Sequence, residues 1–287
     1  MAGLKMNESK LIKNIKEKSK KSGIEFPNLL MHYIRCEVYK ILSGNSVGEK
    51  IVFLNEPILR TGIFQKKDDM SVKVFVSPEL KDGDLLHELG DSLSENGIIL
   101  KKIKKIKSGF ELELSIGRYS TDMILEFVRI QDDKVYPVRK DIVCKADESI
   151  KFEILLYPIE CQAIDLISEI IKKLELINDM DVYYRLNQIL EEEPLDGLKL
   201  SKEMEKRIES GEIKITPEKM KKLISYSKYK YMKNKWDRYQ RVNNRKEPTW
   251  EKQQDTLMKF LTPLWDSMSK GNIFIDNWMP ELGRYLG

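Results

Sequence analysis

The spacing of hydrophobic residues predicts helices and then strands in the first half of the chain. Over 28–43, apolar side chains recur every three or four positions, as in a helix with one buried face, and a more charged helix is predicted over 7–22. Residues 51–54 form a short apolar run, and residues 72–76 alternate apolar and polar side chains as strands do. One or two helical turns are predicted over 57–64. Two helices should therefore precede the first strand of a sheet.

One further helix and two hairpins are predicted before residue 158. Asp84 is a candidate cap for a helix that Asn96-Gly97 would end. Residues 98–117 predict a hairpin that turns at Ser108-Gly109, and residues 123–138 predict a second one that turns at Asp132-Asp133. This half therefore predicts a mixed α/β domain.

Helical spacing dominates from about Pro158 onward. Four helices are predicted, over 163–176, 182–190, 216–239 and 250–268. The third begins at Thr216-Pro217, where threonine is a good N-terminal cap and proline suits the first helical position. We expect an α/β domain over 1–158 and a mainly helical domain over 159–287.

The composition is that of a globular protein in water. Of its 287 residues, 41% are hydrophobic and 33% are charged. No apolar run approaches the eighteen or so residues of a membrane span, and the lysine-rich N-terminus lacks the apolar stretch of a signal peptide. We expect a cytoplasmic protein without a membrane partner, and the sequence leaves its oligomeric state open.

The three cysteines are widely spaced and form no Cys-x-x-Cys pair. Cys36, Cys144 and Cys161 have only His32 and His87 to assist them, so disulfide, zinc and Cys-His nucleophile interpretations are all weak. Buried structural thiols are predicted, and no residue is assigned as a metal ligand.

The net charge of +4 is small, but lysine is concentrated in a few segments. One of them, residues 219–246, mixes lysine and arginine with tyrosine and tryptophan. Such a mixture suits a nucleic-acid surface, with cations on phosphates and rings stacked on bases. The candidate RNA-binding residues are Lys228, Lys230, Lys235, Trp236 and Arg238. The alternative is a helix whose aromatic residues pack inward while its lysines remain in solvent.

Four segments, taken in order, carry a resemblance that covers most of the chain. They are KIVFLNEPILRTGIF, DMSVKVFV, ISEIIKKLELINDMDVYYRLNQIL and YMKNKWDRYQRVNNRKEPTWEKQQDTLMKFLTPLW. The chain resembles the AbiEii/AbiGii-type nucleotidyltransferase toxin family, within the polymerase-β-like superfamily. The resemblance implies a nucleotidyltransferase-like mixed sheet domain followed by a mainly helical C-terminal domain.

The resemblance also implies an activity. It implies transfer of a nucleotidyl group from a nucleoside triphosphate (NTP) with Mg²⁺, onto RNA such as a tRNA 3′ end, in a toxin–antitoxin or phage-defence setting with a cognate antitoxin protein. Two Asp residues one position apart on a strand point to the same face, so both can hold Mg²⁺. Two such ions about 3.5–4 Å apart steady the attacking and leaving oxygens.

Most of the motif residues differ in this chain. Lys73 and Phe75 stand at the two Asp positions, and Asn55, Glu56 and Pro57 stand in place of Gly-Gly-Thr. A phenyl ring cannot bind a metal, and an ammonium group would occupy the place of Mg²⁺. Lost or severely weakened catalysis is therefore expected. The rival class is a non-catalytic protein that binds RNA, a nucleotide or a protein partner.

Several positions still match the family pattern or lie beside it. Ser71 matches the Ser/Thr of the strand motif, Glu126 matches a third carboxylate on a later strand, and Asp181 matches the first Asp of a motif in the second half. These three are the catalytic candidates. The nucleotide-binding candidates are Asn55, Lys73, Lys172 and Lys173. Two alternatives stay open: Glu126 is a former ligand or an ordinary carboxylate, and Lys73 binds phosphate or is a surface lysine.

Overall fold

A computed structural model describes residues 2–44, 48–54, 71–129 and 136–287, with side chains from residue 9 onward. The chain divides into two compact units, Met1–Pro158 and Ile159–Gly287. The helical turns predicted over 57–64 and the turn predicted at Asp132-Asp133 lie outside the described residues.

The first unit combines helices with a mixed sheet. Its helices are α1 (Ala2–Ser22), α2 (Phe26–Ser43) and α3 (Asp82–Glu95). Its strands are β1 (Ile51–Phe53), β2 (Ser71–Val76), β3 (Ile99–Ile106), β4 (Gly109–Ile116), β5 (Tyr119–Arg129), β6 (Val138–Val143) and β7 (Lys151–Leu156). Among the described residues, the three predicted helices and the predicted strands over 51–54 and 72–76 are therefore present, with ends that differ by a few residues.

The sheet order is β3-β4-β5-β2-β1-β7-β6, so its two ends come from hairpins and its centre from distant segments. The pairs β2–β5 and β1–β7 are parallel, and the other pairs are antiparallel. The hairpin predicted at Ser108-Gly109 is confirmed as β3–β4. The hairpin predicted over 123–138 is wrong, because β5 is covered by β4 on one edge and β2 on the other, and β6 pairs with β7.

The core of this unit lies between the sheet and α2 and α3. Alternation along β2 puts Val72, Val74 and Val76 into that core and their neighbours on the other face. Helix α2 begins with Pro27 in its first turn, where a missing N–H costs nothing. Asp84 does not cap α3, since the helix already begins after Lys81 and Asp84 lies in its first turn. A carboxylate there still suits the helix dipole.

The second unit is mainly helical. It contains α4 (Ile159–Lys173), α5 (Asp181–Glu192), α6 (Gly197–Glu209), α7 (Pro217–Ser225), α8 (Lys230–Val242), α9 (Trp250–Ser269), and the short strands β8 (Asn277–Met279) and β9 (Arg284–Leu286). Helix α6 and the two strands are additions to the predicted elements. Three indole N–H groups fix the core, because Trp236, Trp250 and Trp278 are buried and each donates to a backbone carbonyl at 2.8 Å.

The helix predicted over 216–239 is two helices with a break between them. Its start is confirmed, since the Thr216 hydroxyl accepts a hydrogen bond from the Lys219 N–H at 3.3 Å. The chain leaves the helix at Tyr226, where a 3-10 turn, Tyr226–Lys228, precedes α8. The indole of Trp250 takes the Tyr226 carbonyl as its acceptor, at 2.8 Å, and so competes with continuation of the helix.

Among the described residues, no helix combines the length and the apolar character that crossing a bilayer requires. The fold is α/β, with a mixed-sheet unit followed by a mainly helical unit.

Candidate functional site

The parallel pair β2–β5 brings two of the predicted site residues together. Lys73 and Glu126 are directly opposite each other in the register of the two strands. Because Val72 and Val74 point into the core, Lys73 points to the opposite face of the sheet, and Glu126 lies on that face beside it. Both side chains are partly exposed. The site thus pairs an ammonium with a carboxylate on neighbouring strands.

Phe75, which the sequence resemblance aligns with the second Asp of the strand motif, takes part in packing. Its ring lies 4.7 Å from the Tyr157 ring, centroid to centroid, with the planes tilted by 39°. Tyr157 is fixed beside β1, since its N–H donates to the Phe53 carbonyl at 2.8 Å. Phe75 therefore contributes an aromatic contact to this face of the sheet and no ligand atom for a metal.

A buried arginine holds the start of β2. Arg35, on α2, donates from its guanidinium to the Ser71 carbonyl and to the Tyr39 hydroxyl, the latter at 2.9 Å. The guanidinium also lies over the Tyr39 ring, 5.5 Å from its centroid. The Ser71 carbonyl thus has Arg35 as its structural partner, and this contact does not involve the Ser71 hydroxyl.

Asn55, Glu56 and Pro57 lie outside the described residues, which end at Leu54 and resume at Ser71. The prediction that Asn55 contacts a nucleotide therefore stays a prediction.

No metal cluster forms around Glu126 in the described parts of the chain. There, the group of three or more potential metal ligands that does form is His32, Cys36 and Cys144, in the core of the first unit. Sequence reasoning did not find this cluster, because Cys144 is more than a hundred residues from the other two.

Lys172 and Lys173, in the second unit, are both paired with acidic residues. Lys172 donates to Glu212 at 3.0 Å, and Lys173 donates to Glu169, one helical turn earlier, at 2.6 Å. The hydrogen bond from Lys173 to Glu169 raises the pKa of the lysine. The charge of each ammonium group is thus partly offset by a neighbouring carboxylate.

Asp181 organises a small polar cluster at the start of α5. Its carboxylate accepts a hydrogen bond from the Tyr239 hydroxyl at 2.6 Å and lies 3.6 Å from the Arg245 guanidinium. Arg245 in turn covers the Tyr184 ring at 3.7 Å from the centroid. Burial, followed by the hydrogen bond to Asp181, raises the pKa of Tyr239 well above its usual range. These contacts tie α5 to α8 and give Asp181 a structural task.

Two of the five predicted RNA-binding residues have structural contacts. Trp236 is fully buried and donates to the Pro248 carbonyl at 2.8 Å, so its ring is not exposed for stacking on a base. Lys235 donates to the carbonyls of Glu175 and Ile177 at 2.9 and 2.7 Å. The inward-packing interpretation of this segment is therefore correct for Trp236.

The other three candidates lie at the surface with two aromatic rings. Lys228, Lys230 and Arg238 are exposed, and Tyr229 and Tyr231 are 45% and 50% exposed. The two tyrosine rings are neighbours, 6.0 Å apart. The break between α7 and α8 thus presents cations and rings at the surface, although Tyr229 also stacks on the buried Tyr226, with ring centroids 5.9 Å apart.

No family model matches the chain, and none of the curated proteins matches it. Solved structures that resemble it include two from Helicobacter pylori. JHP933 from Helicobacter pylori is 12% identical with a TM-score of 0.50, over 86% of this chain and 95% of that one. A candidate nucleotidyltransferase from H. pylori is 12% identical with a TM-score of 0.51, over 87% of this chain and 99% of that one. At this identity the similarity shows the fold alone, and that fold is nucleotidyltransferase-like.

Proposed function

We propose that this chain is an AbiEii-like protein of the nucleotidyltransferase fold that binds a nucleoside triphosphate and RNA while its transfer activity is lost or severely weakened. The observation that carries the proposal is the set of side chains on this face of β2 and β5. Lys73 faces Glu126 across β2–β5, and Phe75 packs on Tyr157.

The charges at this position argue against metal-dependent transfer. Mg²⁺ is a hard cation that is held by carboxylates and phosphates in near-octahedral geometry. A lysine ammonium opposite Glu126 cancels the one carboxylate of the pair and repels a divalent cation. Phe75 contributes no ligand atom.

The same charges favour direct binding of phosphate. A lysine ammonium is a compact positive charge that can take the place of metal charge beside a triphosphate. We therefore assign Lys73 to the NTP phosphates, and we expect nucleotide binding that does not require Mg²⁺. The toxin–antitoxin or phage-defence setting, the tRNA acceptor and a cytoplasmic location rest on the resemblance and are part of this proposal.

A paired assay separates binding from turnover. The protein is incubated with labelled NTPs and total RNA, with Mg²⁺ or with EDTA, and both bound nucleotide and incorporated label are measured. We expect binding in both conditions and no incorporation above the protein-free background. Lys73→Met should weaken binding by about tenfold, the size of one lost charged contact, whereas Lys104→Met, on the far strand β3, should not.

Robust Mg²⁺-dependent incorporation that Glu126→Ala abolishes would contradict the proposal and show that the chain is an active nucleotidyltransferase. Absence of both nucleotide binding and incorporation would also contradict the proposal and would favour a structural scaffold protein with neither activity.

The exposed rings of Tyr229 and Tyr231 support the RNA-binding part of the proposal, which we assign to the second unit. Tyr229, Tyr231, Lys228 and Lys230 combine cations for phosphates with faces for stacked bases. Binding of a labelled tRNA is measured by fluorescence anisotropy over a range of salt concentrations. The double variant Lys228→Met/Lys230→Met should weaken binding and reduce its dependence on salt. A matched double variant, Lys199→Met/Lys259→Met, removes two exposed cations from other helices and should leave binding unchanged.

A further inference from the structure

Three side chains with nitrogen or sulfur donors meet in the core of the first unit. His32, Cys36 and Cys144 are all buried, and one ligand atom from each lies within 4.8 Å of the other two. Cys36 Sγ and His32 Nε2 are 3.4 Å apart. The proposed function does not use any of them.

Local structure explains how the three residues meet. His32 and Cys36 are four residues apart on α2, so they lie on one face of the helix. Cys144 comes directly after β6, and its N–H donates to the Ile150 carbonyl at 3.0 Å across the turn that leads into β7. The Lys145 N–H donates to His32 Nε2 at 3.1 Å, which fixes the turn against the helix.

We propose that His32, Cys36 and Cys144 form a binding site for one thiophilic d¹⁰ cation, Zn²⁺ or Cu⁺. Imidazole nitrogen and cysteine sulfur are the ligands that select these ions over Mg²⁺ and Ca²⁺.

The spacing of the donor atoms fits such an ion. With Zn–S of about 2.3 Å and Zn–N of about 2.0–2.1 Å, ligand atoms around a tetrahedral ion lie roughly 3.5–3.8 Å apart. The 3.4 Å separation of Cys36 Sγ and His32 Nε2 is already close to that value. The three ligand atoms all lie within 4.8 Å of one another, so shifts of about 1 Å would bring each pair to the separation that a tetrahedral ion requires. Coordination through His32 Nε2 would replace its hydrogen bond with the Lys145 N–H.

The charge of the occupied site is compatible with its burial. Two thiolates and one neutral imidazole around Zn²⁺ sum to zero, and around Cu⁺ they sum to one negative charge beside the buried Arg35.

An ion can reach the site through the surface turn that covers it. Lys145, Glu148 and Ser149 are exposed, whereas Cys144 directly before them is fully buried. Opening of this turn would expose the sulfur, and a bound ion would then link α2 to the segment between β6 and β7. The alternative is that the Cys36 and Cys144 thiols bind no ion and pack as small hydrophobic groups.

Metal binding by the full chain tests the proposal directly. The protein is purified without chelators under reducing conditions, and its metal content is measured by mass spectrometry. The stripped protein is then titrated separately with Zn²⁺ and with Cu⁺ against a chromophoric chelator. We expect one equivalent of Zn²⁺ or Cu⁺, at least tenfold weaker binding in Cys36→Ser and Cys144→Ser, and no change in Cys161→Ser, the matched control in the second unit.

Cobalt spectroscopy of the unaltered chain keeps the test decisive if the serine variants do not fold. Co²⁺ at the site should show tetrahedral d–d bands and a thiolate charge-transfer band, both lost on addition of Zn²⁺. Failure of the unaltered chain to bind either Zn²⁺ or Cu⁺, equal binding by the serine variants, or an octahedral Co²⁺ spectrum would overturn the proposal. Preference for Zn²⁺ or for Cu⁺ decides which ion the site takes.

Discussion

Lys73 and Glu126 are directly opposite each other on the parallel strands β2 and β5. Here the pair is close to neutral. The Lys73 ammonium therefore makes this face of the sheet more attractive to an anion, such as a phosphate, than to a divalent cation.

Reversal of that charge should create a response to Mg²⁺. Lys73→Asp puts two carboxylates opposite each other, and we expect 10 mM Mg²⁺ to stabilise this variant by about 1 kcal/mol, the effect of a site with millimolar affinity. The unaltered chain should show no such effect. Thermal unfolding with Mg²⁺ and with EDTA measures it.

The control is a carboxylate pair elsewhere on the same sheet. Lys104→Asp sets a carboxylate against Glu111 on the exposed β3–β4 pair. An equal Mg²⁺ response from Lys104→Asp would show that any pair of acids suffices, and the special position of Lys73 would be refuted.

Removal of the Phe75 ring should destabilise the first unit. Phe75→Ala loses the contact with Tyr157, whose ring centroid is 4.7 Å away. Because Phe75 is only partly buried, we expect a loss of about 1–2 kcal/mol in the free energy of unfolding, below the 3–5 kcal/mol typical of a fully buried ring. Urea unfolding measures this, and Phe75→Leu should recover part of it. No loss in either variant would mean that the ring contact contributes nothing.

The sequence predicts elements of this fold better than it predicts their partners. Alternation in β2 correctly separates Val72 and Val74 from Lys73 and Phe75, because side chains on a strand point to opposite faces. The partner of β2 is β5, some fifty residues later, and the pattern within either strand carries no signal for that pairing. The hairpin predicted over 123–138 is wrong for the same reason. The sequence shows a local turn signal after β5, but it does not show which strands pair.

The candidate site in the second unit shows the same limit. Trp236 and Tyr231 belong to one aromatic and basic segment, and composition alone suits both for stacking on bases. The structure buries Trp236 completely and leaves Tyr231 half exposed. The partner that decides this is the Pro248 carbonyl, which accepts from the Trp236 indole, and no motif predicts that contact.

Gly109 lies opposite Glu126 and should not tolerate a side chain. A Cβ at this position would lie 2.0 Å from the Leu125 carbonyl oxygen, and its φ of +156° is unfavourable for other residues. We expect Gly109→Ala to destabilise the chain by at least about 2 kcal/mol in urea unfolding.

Gly90 provides the comparison. It lies within α3, and a Cβ there would meet only Leu100 Cδ2 at 3.7 Å, an ordinary contact. Gly90→Ala should stabilise the chain by about 0.5–1 kcal/mol, because alanine restricts the unfolded chain and favours the helix. Similar results for the two variants would contradict the close approach of β4 to β5.

Lys235 should affect stability more than RNA binding. Its ammonium donates to the carbonyls of Glu175 and Ile177, and Lys235→Met would leave both acceptors without this donor. We expect a loss of about 1–3 kcal/mol in the free energy of unfolding. Lys230→Met, at an exposed position on the same helix, should change it by less than about 0.5 kcal/mol. Urea unfolding of the two variants side by side distinguishes a structural lysine from a surface one.

Glu175 should make the second unit sensitive to acid. Its carboxylate accepts hydrogen bonds from Lys222 and Tyr226, both at 2.6 Å, and these contacts lower its pKa from 4.5 to about 2. Because the pKa is lower in the folded state, the stabilisation is complete above pH 4.5 and is lost as the pH falls toward 2.

Urea unfolding between pH 5.5 and pH 2.5 tests this sign directly. The unaltered chain should lose about 1 kcal/mol more than Glu175→Gln over this range, less than the full pKa shift would give, because solvent screens the pair. Lys222→Met removes the first of the two donors and should flatten the same part of the curve, whereas it leaves the carboxylate in place. If Glu175→Gln and the unaltered chain lose stability in parallel down to pH 2.5, the carboxylate is not held by these contacts in solution.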